Sequence, residues 1–161
     1  LNWKWLFIYP EQNVASVNLM QIPVNTPVNI YLTADAPMNS FWVPQLSGQI
    51  YAMPGMSTQL HLMATSEGSY YGSSANISGN GFAGMHFMAH ASSSKQFNDW
   101  VLAAKSSPKP LNNQTYALLS QPSENNRISF YNSTQPDIYS SIINKYMIPG
   151  MQMSAMTAGM Q

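Results

Sequence analysis

Charge is nearly missing from this sequence. Only 7% of its 161 residues are Asp, Glu, Lys or Arg, six cations against six anions, where a typical soluble protein carries about 25%. Nucleic-acid binding needs a cationic stripe that displaces counterions from phosphates, and six scattered cations cannot supply one. A polybasic membrane patch is excluded for the same reason. Cysteine is absent altogether, which rules out disulfides, iron–sulfur clusters, thiolate zinc sites and any copper site that requires a thiolate. No apolar run approaches the roughly 18 residues of a membrane span, and no signal peptide opens the chain. The first residue is Leu1, so the chain reads as a processed or truncated piece whose anchor, if any, lies upstream.

What is present is uncharged. The 21 Ser, 15 Asn and 11 Gln supply the polar surface. With no net charge, copies do not repel one another at long range, and this suits a domain that sits against something else. An apolar fraction of 45% argues against disorder, and the length suits one domain with an appendage.

The first ninety residues read as short strands between turn residues. Trp3 to Tyr9 is rich in aromatic and β-branched residues and stops at Pro10. Val28 to Leu32 and Thr58 to Leu62 alternate, so each predicts one buried face. Ser40 to Val43 ends at Pro44, and Met85 to Ala89 closes the series. Pro23, Pro27, Pro37, Gly48, Pro54, Gly55 and Gly68 punctuate the gaps at β-sandwich spacing. After Ala91 the pattern turns helical. Phe97, Trp100, Val101 and Ala104 fall on one helical face, stopped by Pro108 and Pro110. A shorter helix is predicted over Gln114 to Leu119 with Asn113 as its cap. Thr134-Gln135-Pro136-Asp137 resembles a helix start, Ile138, Ile142 and Ile143 give that helix an apolar side, and Pro149-Gly150 ends it. Three regions result: 1–91, a helical appendage over 92–147, and a Met-containing tail over 148–161.

Few constellations carry chemistry. His86 and His90 share one side of a helix or a strand, but two histidines without a carboxylate or thiol make a poor metal site; His61, between Leu60 and Leu62, faces solvent. No Gly-x-Ser-x-Gly elbow exists, and nothing supports a hydrolase. Gly79-Asn80-Gly81 has no Lys-Ser/Thr behind it and is not a phosphate loop. Met147, Met151, Met153, Met156 and Met160 crowd the end of the chain. Thioethers suit Cu(I), so a copper-handling tail stands beside the plainer reading of Met residues lying on an apolar neighbour.

The informative stretch runs from Tyr71-Gly72-Ser73-Ser74-Ala75-Asn76-Ile77-Ser78 to Phe82 and Met85. It resembles the copper loop of subunit II of the haem–copper oxidases, Tyr-Gly-x-Cys-x-Glu-x-Cys-Gly-x-x-His-x-x-Met, at unbroken spacing. Ser74 and Ser78 fall on the bridging cysteines, Asn76 on the glutamate and Phe82 on the histidine; Met85 alone is kept. Upstream, Met38-Asn39-Ser40-Phe41-Trp42-Val43-Pro44 resembles the family's His-Ser-Phe/Trp-x-Val/Ile-Pro segment, with Asn39 in place of the other histidine. A dinuclear copper centre needs bridging thiolates and imidazoles. Within the family, an intact loop without them resembles the quinol oxidases. Trp3 to Glu11, Ile50 to Met53 and the run ending Ile142-Ile143-Asn144-Lys145-Tyr146-Met147 are similar to subunit II of the bo-type ubiquinol oxidases, over nearly the whole chain.

The resemblance implies a mainly β fold, a cupredoxin-like antiparallel Greek-key sandwich followed by a small helical subdomain. It implies two transmembrane helices upstream, a place on the periplasmic face of the bacterial inner membrane, and a complex that oxidises ubiquinol, reduces dioxygen to water and pumps protons. The haems and remaining copper belong to subunit I. This domain then has no cofactor, metal or catalytic residue of its own and serves structure and assembly on subunit I. It docks no cytochrome c, because a basic carrier needs a carboxylate cluster. Two rivals stand beside this reading: a soluble cupredoxin carrier, opposed by the missing ligands, and a periplasmic copper-handling protein using the Met-rich tail.

Overall fold

A computed structural model describes residues 1–74 and 85–147. Its largest sheet is built from β3 (Leu19–Pro23), β5 (Asn39–Trp42), β6 (Ile50–Ala52), β8 (Gly68–Ser74) and β9 (His86–Ser92), in the spatial order β3-β9-β8-β5-β6. A two-stranded ribbon, β4 (Val28–Leu32) with β7 (Thr58–Leu62), lies over the same core. The ribbon follows its alternating sequence: Val28, Ile30, Leu60 and Leu62 pack inward, while Asn29, Tyr31, Gln59 and His61 are exposed. A third sheet joins β1 (Leu6–Tyr9), β2 (Val14–Val17) and β10 (Ser129–Tyr131), with β2 in the middle. The helices are α1 (Ser94–Lys105), α2 (Asn113–Leu119) and α3 (Ile138–Lys145).

The sandwich is not antiparallel throughout, as the resemblance implied. β3 runs parallel to β9, Leu19 beside Met88 and Pro23 beside Ser92. Parallel pairing needs a long crossover, and here the crossover is most of the sandwich itself. The first strand is also shorter than the aromatic run suggests. Trp3 sits in the left-handed region (φ 68), which breaks the extended path, and β1 starts only at Leu6.

The main core is aromatic at its centre. Phe41 stacks on Phe87 at 5.2 Å between ring centroids, and Trp5 meets Phe41 edge-on at 5.5 Å. Gly72 of β8 lies directly opposite Phe87 of β9. A Cβ built on Gly72 falls 2.2 Å from the Phe87 ring, closer than any real contact, and that buried ring is packed against Trp5, Phe7 and Phe41. Gly72→Ala is therefore expected to lower stability by about 1–3 kcal/mol through overpacking, read as a lower urea midpoint at unchanged slope. An unchanged midpoint would show that the aromatic cluster is looser than this.

The appendage is folded around β2. All four β2 residues are buried. Val14 meets Phe97, Val101 and Ala104 of α1, and Ala15 and Val17 meet Leu111, Tyr131, Ile138 and Ile142 on the other side. β10, which comes from the appendage, pairs with β2 from Ser129 to Tyr131, so the two parts of the chain share a sheet. The helix ends differ in detail from the sequence pattern. Ser93 and Gln96 form a capping box on α1, and the α2 cap is Asn112, one residue before the predicted Asn113. α3 starts at Ile138 without a side-chain cap. Thr134 does not cap it, because the Asn13 carboxamide accepts from its backbone N–H at 2.9 Å and Leu111 bridges to it.

Candidate functional site

Antiparallel pairing of β5 with β8 brings two of the six copper-loop positions into contact. The Ser74 hydroxyl donates to Asn39 Oδ1 at 2.7 Å, and Asn39 Nδ2 donates to the Pro37 carbonyl at 3.0 Å. Both residues are buried, at 3% exposure for Asn39 and 5% for Ser74. Met85 is buried in the main core just before β9. Asn76, Ser78 and Phe82 lie outside the described residues, as does the tail carrying Met151, Met153, Met156 and Met160.

The pair does not fit a dinuclear copper centre. A neutral hydroxyl and a carboxamide are hard, weak donors where thiolate and imidazole are needed. Here the hydroxyl proton is given to the carboxamide oxygen, so the two groups satisfy each other as buried polar atoms must. No electron-transfer step can be drawn through them. Among the described residues, no group of three or more His, Cys, Asp or Glu side chains is placed to hold a metal ion, and no helix is long and apolar enough to cross a membrane.

The histidines divide. His61 is exposed on the ribbon, its Nδ1 paired with Asn29 Oδ1 across the strands. His86 and His90 share the outer side of β9. His90 Nδ1 is 2.9 Å from the Ser69 hydroxyl, and the His86 ring lies 5.8 Å from that of Tyr71.

Two buried charges were not legible as such in the sequence, and both tie the sandwich to the appendage. Lys4 is 1% exposed. Its ammonium donates to the carbonyls of Leu119 and Gln121, at 2.5 and 2.7 Å, and so caps the C-terminal end of α2, where a cation is favoured. Burial pulls its pKa below the usual lysine value. Asp35 receives three donors from the appendage: the Tyr116 hydroxyl at 2.6 Å, Lys145 Nζ at 2.9 Å and the Tyr146 hydroxyl. Burial pushes the carboxyl up, but these hydrogen bonds and the Lys145 charge outweigh it and hold Asp35 below the ordinary carboxylate range. The same contacts raise Lys145. A faint signal did exist, for Asp35 and Glu67 are the only charged residues between positions 12 and 94.

A sandwich of this topology with a helical appendage folded onto it defines a class. The chain belongs to the family of the cytochrome c oxidase subunit II periplasmic domain, whose model matches residues 3–92, and a second model, the COX aromatic rich motif, matches residues 105–150. That family sets it on the periplasmic face of the inner membrane. Within the class, its similarity is to the quinol-oxidising branch. The cytochrome bo(3) ubiquinol oxidase subunit 2 of Pseudomonas putida is 53% identical over 146 residues, 91% of this chain and 46% of that protein. The ubiquinol oxidase subunit 2 of Acetobacter aceti is 49% identical over 160 residues, 99% of this chain and 52% of that protein. This chain thus spans about half the length of these relatives. The crystal structure of the periplasmic domain of cytochrome oxidase subunit II from Bradyrhizobium japonicum superposes with a TM-score of 0.58 at 27% identity, covering 63% of this chain and 85% of that one. The fold expected from the resemblance, a cupredoxin-like domain, is the fold found.

Proposed function

We propose that this chain is the periplasmic part of subunit II of a proton-pumping ubiquinol oxidase, and that it carries no redox centre. The observation that carries the reading is the Ser74–Asn39 hydrogen bond, which occupies two positions where copper ligands stand in the resembling oxidases. Asn76, Ser78 and Phe82 extend the same substitution along the loop. Electrons then enter subunit I from ubiquinol in the membrane, and the haems and copper that reduce dioxygen are held there. The task of this domain is to cap subunit I and support its assembly.

Charge supports the same conclusion. Of the three carboxylates in residues 1–91, Asp35 is buried and bonded while Glu11 and Glu67 are exposed, and two carboxylates make no acidic ring for a basic cytochrome c. The division at about residue 91 into a sandwich and a helical appendage belongs to this proposal, with Lys4 and Asp35 as the residues that lock the two together.

Hydrogen exchange on the isolated chain and on the assembled oxidase tests the role. The expected result is added amide protection over one contiguous face in the complex, including segments that carry exposed Met or Tyr side chains such as Met38, Tyr51 and Met56. Equal protection everywhere would contradict a capping role.

A further inference from the structure

Three features outside the loop site invite a ligand: the groove beside α2 and Tyr131, the uncharged outer face of the β4–β7 ribbon, and the outer face of β9. Nothing shows what covers the first two. The third has donors of a defined chemistry. Phe87, Ala89 and Ala91 point into the core and are buried, so strand alternation puts His86, Met88 and His90 on the opposite face. His86 and Met88 also line one cleft of about 200 Å³ together with Asn18, Asn125 and Asn126.

The spacing decides which pair can share an ion. Alternate residues on a strand are about 6.6 Å apart, so His86 and His90 stand about 13 Å apart and cannot meet on one metal. An imidazole and a thioether that are neighbours on one face can close on an ion between them. Among the described residues no hydrogen bond engages the His86 ring nitrogens, whereas His90 is paired with Ser69. Two of the three carboxamides lining the cleft, Asn18 and Asn126, are committed. Asn18 accepts from the Trp5 N–H at 2.9 Å and donates to the Asn126 carbonyl at 3.0 Å, and Asn126 is paired with Ser123. No carboxylate lines the cleft. A neutral, soft donor pair without an anion favours a monovalent soft ion over Zn(II), Mg(II) or Ca(II).

We propose that His86 and Met88 form a Cu(I) site on the outer face of β9, separate from the loop positions Asn39 and Ser74 and independent of the oxidase reading. The sequence pattern paired His86 with His90; the strand substitutes Met88 as the partner.

The test is anaerobic titration of the full chain with Cu(I) against a chromophoric Cu(I) chelator. Met151, Met153, Met156 and Met160 are replaced by leucine as a common background, so that the tail contributes no thioether. One Cu(I) per chain is expected, with His86→Gln and Met88→Leu each weakening it by about tenfold or more, and His90→Gln leaving it unchanged. Circular dichroism establishes that the variants are folded, and the proton resonances of His86 should shift with Cu(I) but not with Zn(II). No uptake in the background chain, unchanged affinity in either the His86 or the Met88 variant, loss in the His90 variant, or an equal response to Zn(II) would overturn the proposal.

Discussion

Exchanging five side chains, Asn39→His, Ser74→Cys, Asn76→Glu, Ser78→Cys and Phe82→His, is expected to give a folded chain that takes up two copper ions and gains strong thiolate-to-copper absorption. The parent chain cannot show that absorption, since it has no cysteine. The expectation rests on the contact already made between two of the positions. β5 and β8 hold Asn39 and Ser74 at hydrogen-bonding distance, and Met85 is buried in the main core just before β9. Asn76, Ser78 and Phe82 enter through their spacing alone. Ser74→Cys changes little volume. Asn39→His places a larger ring in a buried position and is expected to cost about 1–3 kcal/mol without metal. Copper that binds only the folded state offsets part of this. Metal analysis and optical absorption read the result; a folded variant that takes up one copper weakly, or none, would show that the loop is not the frame of a dinuclear centre.

The second large effect is expected at Asp35. Its carboxylate, 3% exposed, accepts from Tyr116 and Tyr146 and pairs with Lys145, whose side chain is 59% exposed. In Asp35→Ala the exposed lysine turns to water at little cost, but the half-buried Tyr116 hydroxyl loses its acceptor. The change is expected to lower stability by about 2–4 kcal/mol, from one unsatisfied donor plus the lost charge-assisted bonds. Faster hydrogen exchange should appear first in α2 and α3. Protonation should act in the same direction. Because the native carboxyl is held below its unfolded value of about 3.9, its stabilisation is full well above that pH and is lost as the pH falls through it toward the native pKa. Asp35→Asn should therefore flatten the acid limb of the stability curve. A wild-type acid limb in the Asn variant would mean that Asp35 does not hold the appendage.

Much of the fold was legible where a strand has one wet face. Val28–Leu32 and Thr58–Leu62 form strands with the bounds that their alternation gives. β2 left no such trace, because Val14-Ala15-Ser16-Val17 is covered on both sides and does not alternate. The pairing of β10 with β2 and of β3 with β9 joins residues far apart in sequence, and no local pattern encodes it. Helix starts failed where tertiary contacts won: Thr134 has the hydroxyl of a cap, yet Asn13 takes it. The copper-loop positions were legible only through the resemblance, and the structure adds that Asn39 and Ser74 bond to each other. Lys4 and Asp35 were invisible as partners because charge in a sequence reads as surface. Their acceptors and donors come from about 80 to 117 positions away.

Electron-donor specificity tests the central claim most directly. An oxidase purified with the full-length subunit containing this chain should consume dioxygen with a short-chain ubiquinol as donor and show no comparable turnover with ferrocytochrome c at low ionic strength. Rapid oxidation of ferrocytochrome c by that complex would contradict the account, because Ser74 and Asn39 offer the electrons no metal through which to enter.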